Sequence, residues 1–182
     1  MIYWTEKGRG NTEKTVNAVI DRADKLGIKH VVVASNSGDT AEQFAGKGLE
    51  VACVTHHVGF KEPGEDEMEP EMRKNLQDKG VKVLTTTHLM AGIDRALRFK
   101  FEGIYPGEIV ASTLRLLGQG FKVAIEVSVM ALDAGLIPFG EEIISVGGTG
   151  RGADTAIIVT PAHSSQFFDT KVKEIICMPR EK

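Results

Sequence analysis

Apolar and polar positions along this chain alternate in two rhythms, one suited to helices and one to strands. Val16, Val19, Ile20, Ala23 and Leu26 recur at helical spacing after a polar start. Asn11 or Thr12 is placed to cap that helix, and Gly27 to end it. His30–Ala34 is a short unbroken apolar run, the signature of a strand buried on both faces. A helix is predicted over 40–47 and stopped by Gly48, then a second strand over 50–55. Pro70 suits the first turn of a helix reaching Lys79 and stopping at Gly80, and a third strand covers 81–84. Residues 88–136 read as helix in pieces, broken near 103–107 and again at 118–120. Strands follow at 142–146 and 156–160, with a further candidate at 172–178.

One segment carries both rhythms. Phe121, Val123, Ile125, Val127 and Val129 alternate as in a strand, whereas Ala124, Met130, Ala131, Leu132 and Ala134 favour a helix. Its length and the terminator Gly135 decide for helix.

Strands alternating with helices predict an α/β fold with a mostly parallel sheet of five to six strands, covered on both faces. The last strands follow one another without long helices, so one is expected to be antiparallel at an edge. In such sheets ligands bind beyond the carboxyl ends of the strands. That edge is expected to gather the loops at 35–40, 55–60, 85–88 and 147–154, together with Asn11 and Thr12.

Composition narrows the class. The 182 residues suit one domain, 1–182, and 42% hydrophobic residues with 20 glycines describe a loop-rich globular protein. A net charge of -3 gives no basis for a nucleic-acid partner. No apolar run approaches a membrane span, and charges occupy the N-terminus where a signal peptide would be apolar, so a cytoplasmic location is expected. Cys53 and Cys177 lie in apolar runs and are expected to be buried, reduced thiols.

The chemistry is concentrated in two loops. Val31, Val32 and Val33 feed Ala34, Ser35, Asn36, Ser37, Gly38, Asp39 and Thr40. A Ser/Gly/Thr loop between strand and helix turns amides, hydroxyls and a helix dipole toward one point, where they can hold a phosphate without lysine. A capped strand-to-helix turn is the simpler reading of the same residues. The second loop holds Gly147, Gly148, Thr149, Gly150, Arg151, Gly152 and Asp154. Arg151 suits a phosphate and Asp154 a sugar or ribityl hydroxyl; a tight connection between strands explains the glycines equally well. A dinucleotide fingerprint fails, because a strand-like run follows the glycines, and the nucleotide P-loop spacing is absent.

Thr55, His56 and Phe60 follow the second strand, with His57 beside them, and His88 follows the third. No metal-ligand spacing occurs, so no metal site is predicted. Phe60, Trp4 and Met90 are placed to flank a flat ring or to pack in the core. Glu126 and Asp133 share a helix face but stand about two turns apart, too far for a direct carboxylate pair. The acidic stretch at 65–71 reads as a solvated face, and no catalytic residue is assigned.

Across 11–178 the chain resembles the C-terminal α/β domain of pyruvate kinase. The resemblance rests on Val31 through Ala41, and on Ile144, Ser145, Val146, Gly147, Gly148, Thr149 and Gly150 before a final strand. It implies a three-layer α/β/α sandwich and an effector-phosphate site formed by Ser35, Asn36, Ser37, Gly38 and Thr40. It also implies a homo-oligomer as the candidate assembly. The catalytic barrel has no counterpart here, so pyruvate kinase activity is not implied. The 35–40 loop is also similar to the phosphate loops of flavodoxins and of sugar-phosphate isomerase domains. These readings agree on binding of a phosphorylated small molecule, with flavin mononucleotide (FMN) the leading candidate. The alternative is an enzyme, either a flavin-dependent oxidoreductase or a phosphosugar isomerase, the latter drawing on His56, His57 or Glu126.

Overall fold

The structure, a computed structural model, describes residues 1–181. Its elements run β1 (Ile2–Trp4), α1 (Thr12–Leu26), β2 (His30–Ala34), α2 (Asp39–Glu42), β3 (Glu50–Val54), α3 (Pro70–Asp78) and β4 (Lys82–Leu84). There follow α4 (Gly92–Phe101), α5 (Pro106–Leu114), α6 (Gln119–Asp133), β5 (Ile143–Gly147), β6 (Thr155–Thr160) and β7 (Lys171–Pro179). One seven-stranded sheet forms in the order β1-β7-β6-β5-β2-β3-β4. Only β6 is reversed, running antiparallel to β5 on one side and β7 on the other. The remaining pairings are parallel, so six strands point their carboxyl ends to one edge.

The predicted α/β fold with a mostly parallel sheet is the fold observed. The strand count exceeds the expected five to six because Ile2–Trp4 adds β1 along β7. Three residues are too few to show a period, and pairing with a distant strand creates this element.

The continuous apolar runs are explained by burial on both faces. Val31 and Val33 meet Val16 and Val19 of α1, Phe44, and Leu76 of α3 on one side. Val32 and Val54 meet Phe121, Ala124 and Ile125 of α6 and Ala111 of α5 on the other. The result is a three-layer α/β/α sandwich. Cys53 and Cys177 are free and buried in the first of these layers, and burial pushes their thiols up to about 12 and about 11. Both are held as inert thiols near neutrality.

Two local expectations change. The helix predicted over 40–47 is a single turn, after which Phe44, Ala45 and Lys47 bond to carbonyls three residues back. Gly46 and Gly48, both at positive φ, uncoil the segment toward β3. Neither Asn11 nor Thr12 caps α1 with its side chain: Asn11 donates to the Glu6 carbonyl and Thr12 to that of Arg9. The segment with two rhythms is α6, and nearly every residue from Gly120 to Leu132 is buried. A helix covered all round loses its polar face, so its sequence no longer displays a clear helical period. Among the described residues, no helix is long and apolar enough to cross a membrane.

Candidate functional site

Strand order reverses between β2 and β5: the chain steps outward from β2 to β3 and β4, then crosses back to place β5 on the other side. The carboxyl ends of two strands at such a reversal mark the place where α/β sheets take ligands. The 35–40 loop leaves β2, flanked by the 55–60 loop after β3 and the 147–154 loop after β5. The α1 N-terminus reaches the same edge, where Thr12 Oγ1 accepts from the Ala153 amide.

In the 35–40 loop, Ser35 is buried and its Oγ accepts from the amides of Thr40 and Ala41, at 3.2 and 3.4 Å. This hydroxyl caps the following turn and faces inward. Gly38 sits at φ 93°, and a Cβ there would fall 2.5 Å from Met72 Cγ and 3.2 Å from Leu76 Cδ1. Its lack of a side chain thus lets α3 pack against the loop. Thr40 is buried as well. The backbone of the loop is different. Among the described residues, the amides of Asn36, Ser37, Gly38 and Asp39 find no acceptor, and the Asn36 and Ser37 side chains find no partner. A succession of unpaired amides is an anion-binding feature in its own right. The one-turn α2 adds little dipole to it.

The 147–154 loop is bound into the scaffold. Asp154 is fully buried; its Oδ2 accepts from the amides of Gly8 (2.8 Å) and Thr149 (3.1 Å), and its Oδ1 from the Thr155 hydroxyl (2.8 Å). One carboxylate therefore joins the segment after β1, the glycine loop and the start of β6. Gly147 lies against α6, where a Cβ would meet the Gly120 carbonyl oxygen at 2.2 Å, and one on Gly148 would meet the Gly152 carbonyl at 2.1 Å. Gly150 and Arg151 are exposed at the loop tip, and Thr149 is half-buried.

The 55–60 loop builds an aromatic group. His56 stacks on Phe60 with ring centroids 3.7 Å apart, and His57 and His88 surround Phe60 at 5.5 and 5.7 Å. Thr55 is buried, donating to the His56 carbonyl and meeting Thr85 Oγ1 at 2.7 Å. The acidic stretch is tied down at two points: Asp66 pairs with Arg73, and Glu67 meets both Lys61 and His56. Burial works against the charge on Glu67, but the hydrogen bonds from Lys61 and His56 outweigh it and hold the carboxyl below its usual range. Trp4 is half-buried against the α1 layer and Met90 is buried under α6, so neither stands with Phe60.

Sequence reasoning missed a buried charge pair behind this group. Lys122 and Glu126, one helical turn apart on α6, form an ion pair, and Glu126 Oε1 also accepts from the Met90 amide. Glu126 is thereby fixed in place, and Asp133 pairs separately with His163. His88 donates Nε2–H to the Thr55 carbonyl at 3.3 Å, since a carbonyl can only accept. Burial pushes the His88 pKa below its ordinary 6.5; the Glu126 carboxylate and the Thr55 bond oppose this, and the charges of His56 and Lys122 assist it.

The consequence for stability has a definite sign. Below pH 6.5 the unfolded chain takes up a proton that the folded His88 refuses, so acidification favours unfolding until the folded pKa is passed. Melting temperature is therefore expected to fall as pH drops below 6.5, and His88→Gln, which can still donate to Thr55, should flatten that decline. An unchanged pH slope in the variant would assign the effect elsewhere.

Arg95 was also unforeseen. It lies over the Phe60 ring at 5.1 Å and lines a hollow of about 350 Å³ with His57, Thr87 and Ile93. Its only signal in the sequence is a cation on a helix after the third strand.

Residues 13–159 match the family model described as pyruvate kinase, alpha/beta domain. Among solved structures, a pyruvate kinase from Cryptosporidium parvum is similar with a TM-score of 0.40 and 16% identity, over 81% of this chain and 22% of that one. The chain thus spans less than a quarter of that enzyme's length. With the family match running from the start of α1 to the end of β6, this chain belongs to the pyruvate kinase alpha/beta domain family.

Proposed function

We propose that this domain binds a phosphorylated small molecule at the β2–β5 edge, with FMN the leading candidate and no pyruvate kinase activity. The observation that carries the reading is the run of four unpaired amides at Asn36, Ser37, Gly38 and Asp39 beside the strand-order reversal. A phosphate there would accept from those amides and from Asn36 and Ser37. The flat ring of a flavin would lie toward Phe60 and His56, one loop away on β3. Asp154, Gly147 and Gly148 support this site from behind by fixing the neighbouring loop.

The test is FMN binding by the purified protein, read from flavin absorbance and fluorescence quenching. Ser37→Glu places a negative charge beside the amides on an exposed side chain, and should weaken FMN binding by about tenfold or more with the melting temperature preserved. Gly38 is a poor choice for this purpose, because any side chain there strikes Met72 and Leu76. No binding of FMN, sugar phosphates or nucleotides would overturn the reading.

A flavin-dependent oxidoreductase is the second reading, favoured by the hollow beside Phe60 that could admit a second molecule. Reduction of bound FMN by NADH or NADPH would test it, and a failure of both would remove it.

A further inference from the structure

On the α6 side, a cleft of about 670 Å³ opens between α4, α5 and the first turn of α6. Its volume falls in the range of small-molecule sites. The walls carry Arg95, Arg98, Arg115 and Lys122 against a single carboxylate, Glu108. This is an unusual concentration of positive charge in a chain of net charge -3. Glu108 is matched by Arg98 at 2.9 Å, and Lys122 is matched from behind by Glu126. Among the described residues, Arg115 bonds the neutral Gln119, and the Arg95 guanidinium lies over the rings of Phe60 and Phe99. Two arginines thus line one cleft without a carboxylate partner among the described residues. Lys122 is 7% exposed and its charge is balanced by Glu126, so the uncompensated charge of the cleft rests on Arg95 and Arg115.

Much of the remaining lining is apolar, with Ser112 and Thr113 beside it. Ile104 and Ile109 are strongly exposed, and Leu116 with them, while Met90 and Ala111 form a buried floor. Exposed apolar side chains around unpaired arginines suit a ligand with the same two-part chemistry.

We propose that this cleft binds an amphipathic organic anion, an aromatic or branched apolar group bearing one phosphate or carboxylate. The site uses none of the amides of the 35–40 loop, so it goes beyond the FMN reading. Arg95 links the two regions, since it lines this cleft and also lies over Phe60.

Calorimetric titration of the whole chain with 1-naphthyl phosphate, 1-naphthoate and 1-naphthol tests the proposal. Saturable binding of either anion, with 1-naphthol weaker by about tenfold or more, is expected for a site organised by charge-assisted hydrogen bonds. The two anions differ only in whether phosphate or carboxylate is preferred, and either preference supports the proposal. The double variant Arg95→Gln/Arg115→Gln should weaken the anion by about tenfold or more. Ser112→Phe, on an exposed position lining the cleft, should block it while leaving every charge in place. Ser37→Glu should leave it unchanged, which separates this site from the FMN site. Equal binding of 1-naphthol, insensitivity to both cleft variants, or loss in Ser37→Glu would overturn the proposal. So would binding to phosphatidylglycerol vesicles without binding of the soluble anions.

Discussion

Gly147→Ala is expected to lower the melting temperature sharply, although it adds only one methyl group. The new Cβ would fall 2.2 Å from the Gly120 carbonyl oxygen and 2.9 Å from the Ala124 amide nitrogen. Both are backbone atoms of α6, so no rotamer change relieves the overlap. Either β5 or α6 must shift, and α6 holds Phe121, Ala124, Ile125 and Val127 against the sheet. Overpacking of this kind costs about 3 kcal/mol, the upper part of its usual range. For a chain of this length that is a fall of roughly 6–12 °C. Gly150→Ala is the control: it sits at φ 76° with open space around it, so only backbone strain of about 1 kcal/mol is expected. Thermal melts of both variants check the contrast. An unchanged melting temperature for Gly147→Ala would mean that the close approach of α6 is not a constraint on this fold.

Asp154→Ala is expected to destabilise by a similar amount, through a different cause. The buried carboxylate serves two amides and one hydroxyl drawn from three chain segments. Its removal leaves a cavity and strips the Gly8 and Thr149 amides of their acceptor. Each unsatisfied buried group costs about 1–3 kcal/mol, so a total of roughly 3 kcal/mol follows if water reaches some of them. Loss should also be local before it is global. Amide hydrogen exchange at Gly8 and Thr149 is expected to accelerate in Asp154→Asn, whose side-chain oxygen can replace only part of the arrangement. Wild-type exchange at those amides in Asp154→Ala would overturn this role for the carboxylate.

The α/β architecture was legible because its signals are local. His30–Ala34 and Glu50–Val54 are unbroken apolar runs, and α1 shows a polar start, a helical stripe and the left-handed Gly27 that ends it. The edge at which the loops gather followed from the alternation of strands and helices, whereas the crossing that sets β5 beside β2 is seen only in the sheet order. The short β1 left no trace, since its partner β7 lies at the opposite end of the chain.

The candidate site was legible in its position and less so in its parts. Ser35, Gly38, Asp154 and Gly147 looked like ligand groups because hydroxyl, carboxylate and glycine residues serve ligands and tight packing alike. The same composition satisfied both, and three of these four carry a contact with a specific partner far along the chain: Gly38 with Leu76, Asp154 with Gly8 and Gly147 with Gly120. Arg95 and Arg115 gave no distinctive signal, because isolated arginines on helices are ordinarily solvated.

By itself, the sequence determined most of the helices and strands, the parallel sense of most of the sheet and the edge to which the loops point. Those properties depend on periodicity and on short-range stops, which neighbouring residues dictate. The tertiary structure alone decided which polar groups are spent on the scaffold and which remain open. Hydrogen-bond pairing is settled between segments as distant as Gly8 and Asp154. The four open amides after Ser35 and the unpaired arginines of the α4–α5 cleft became visible only once every other partner was in place.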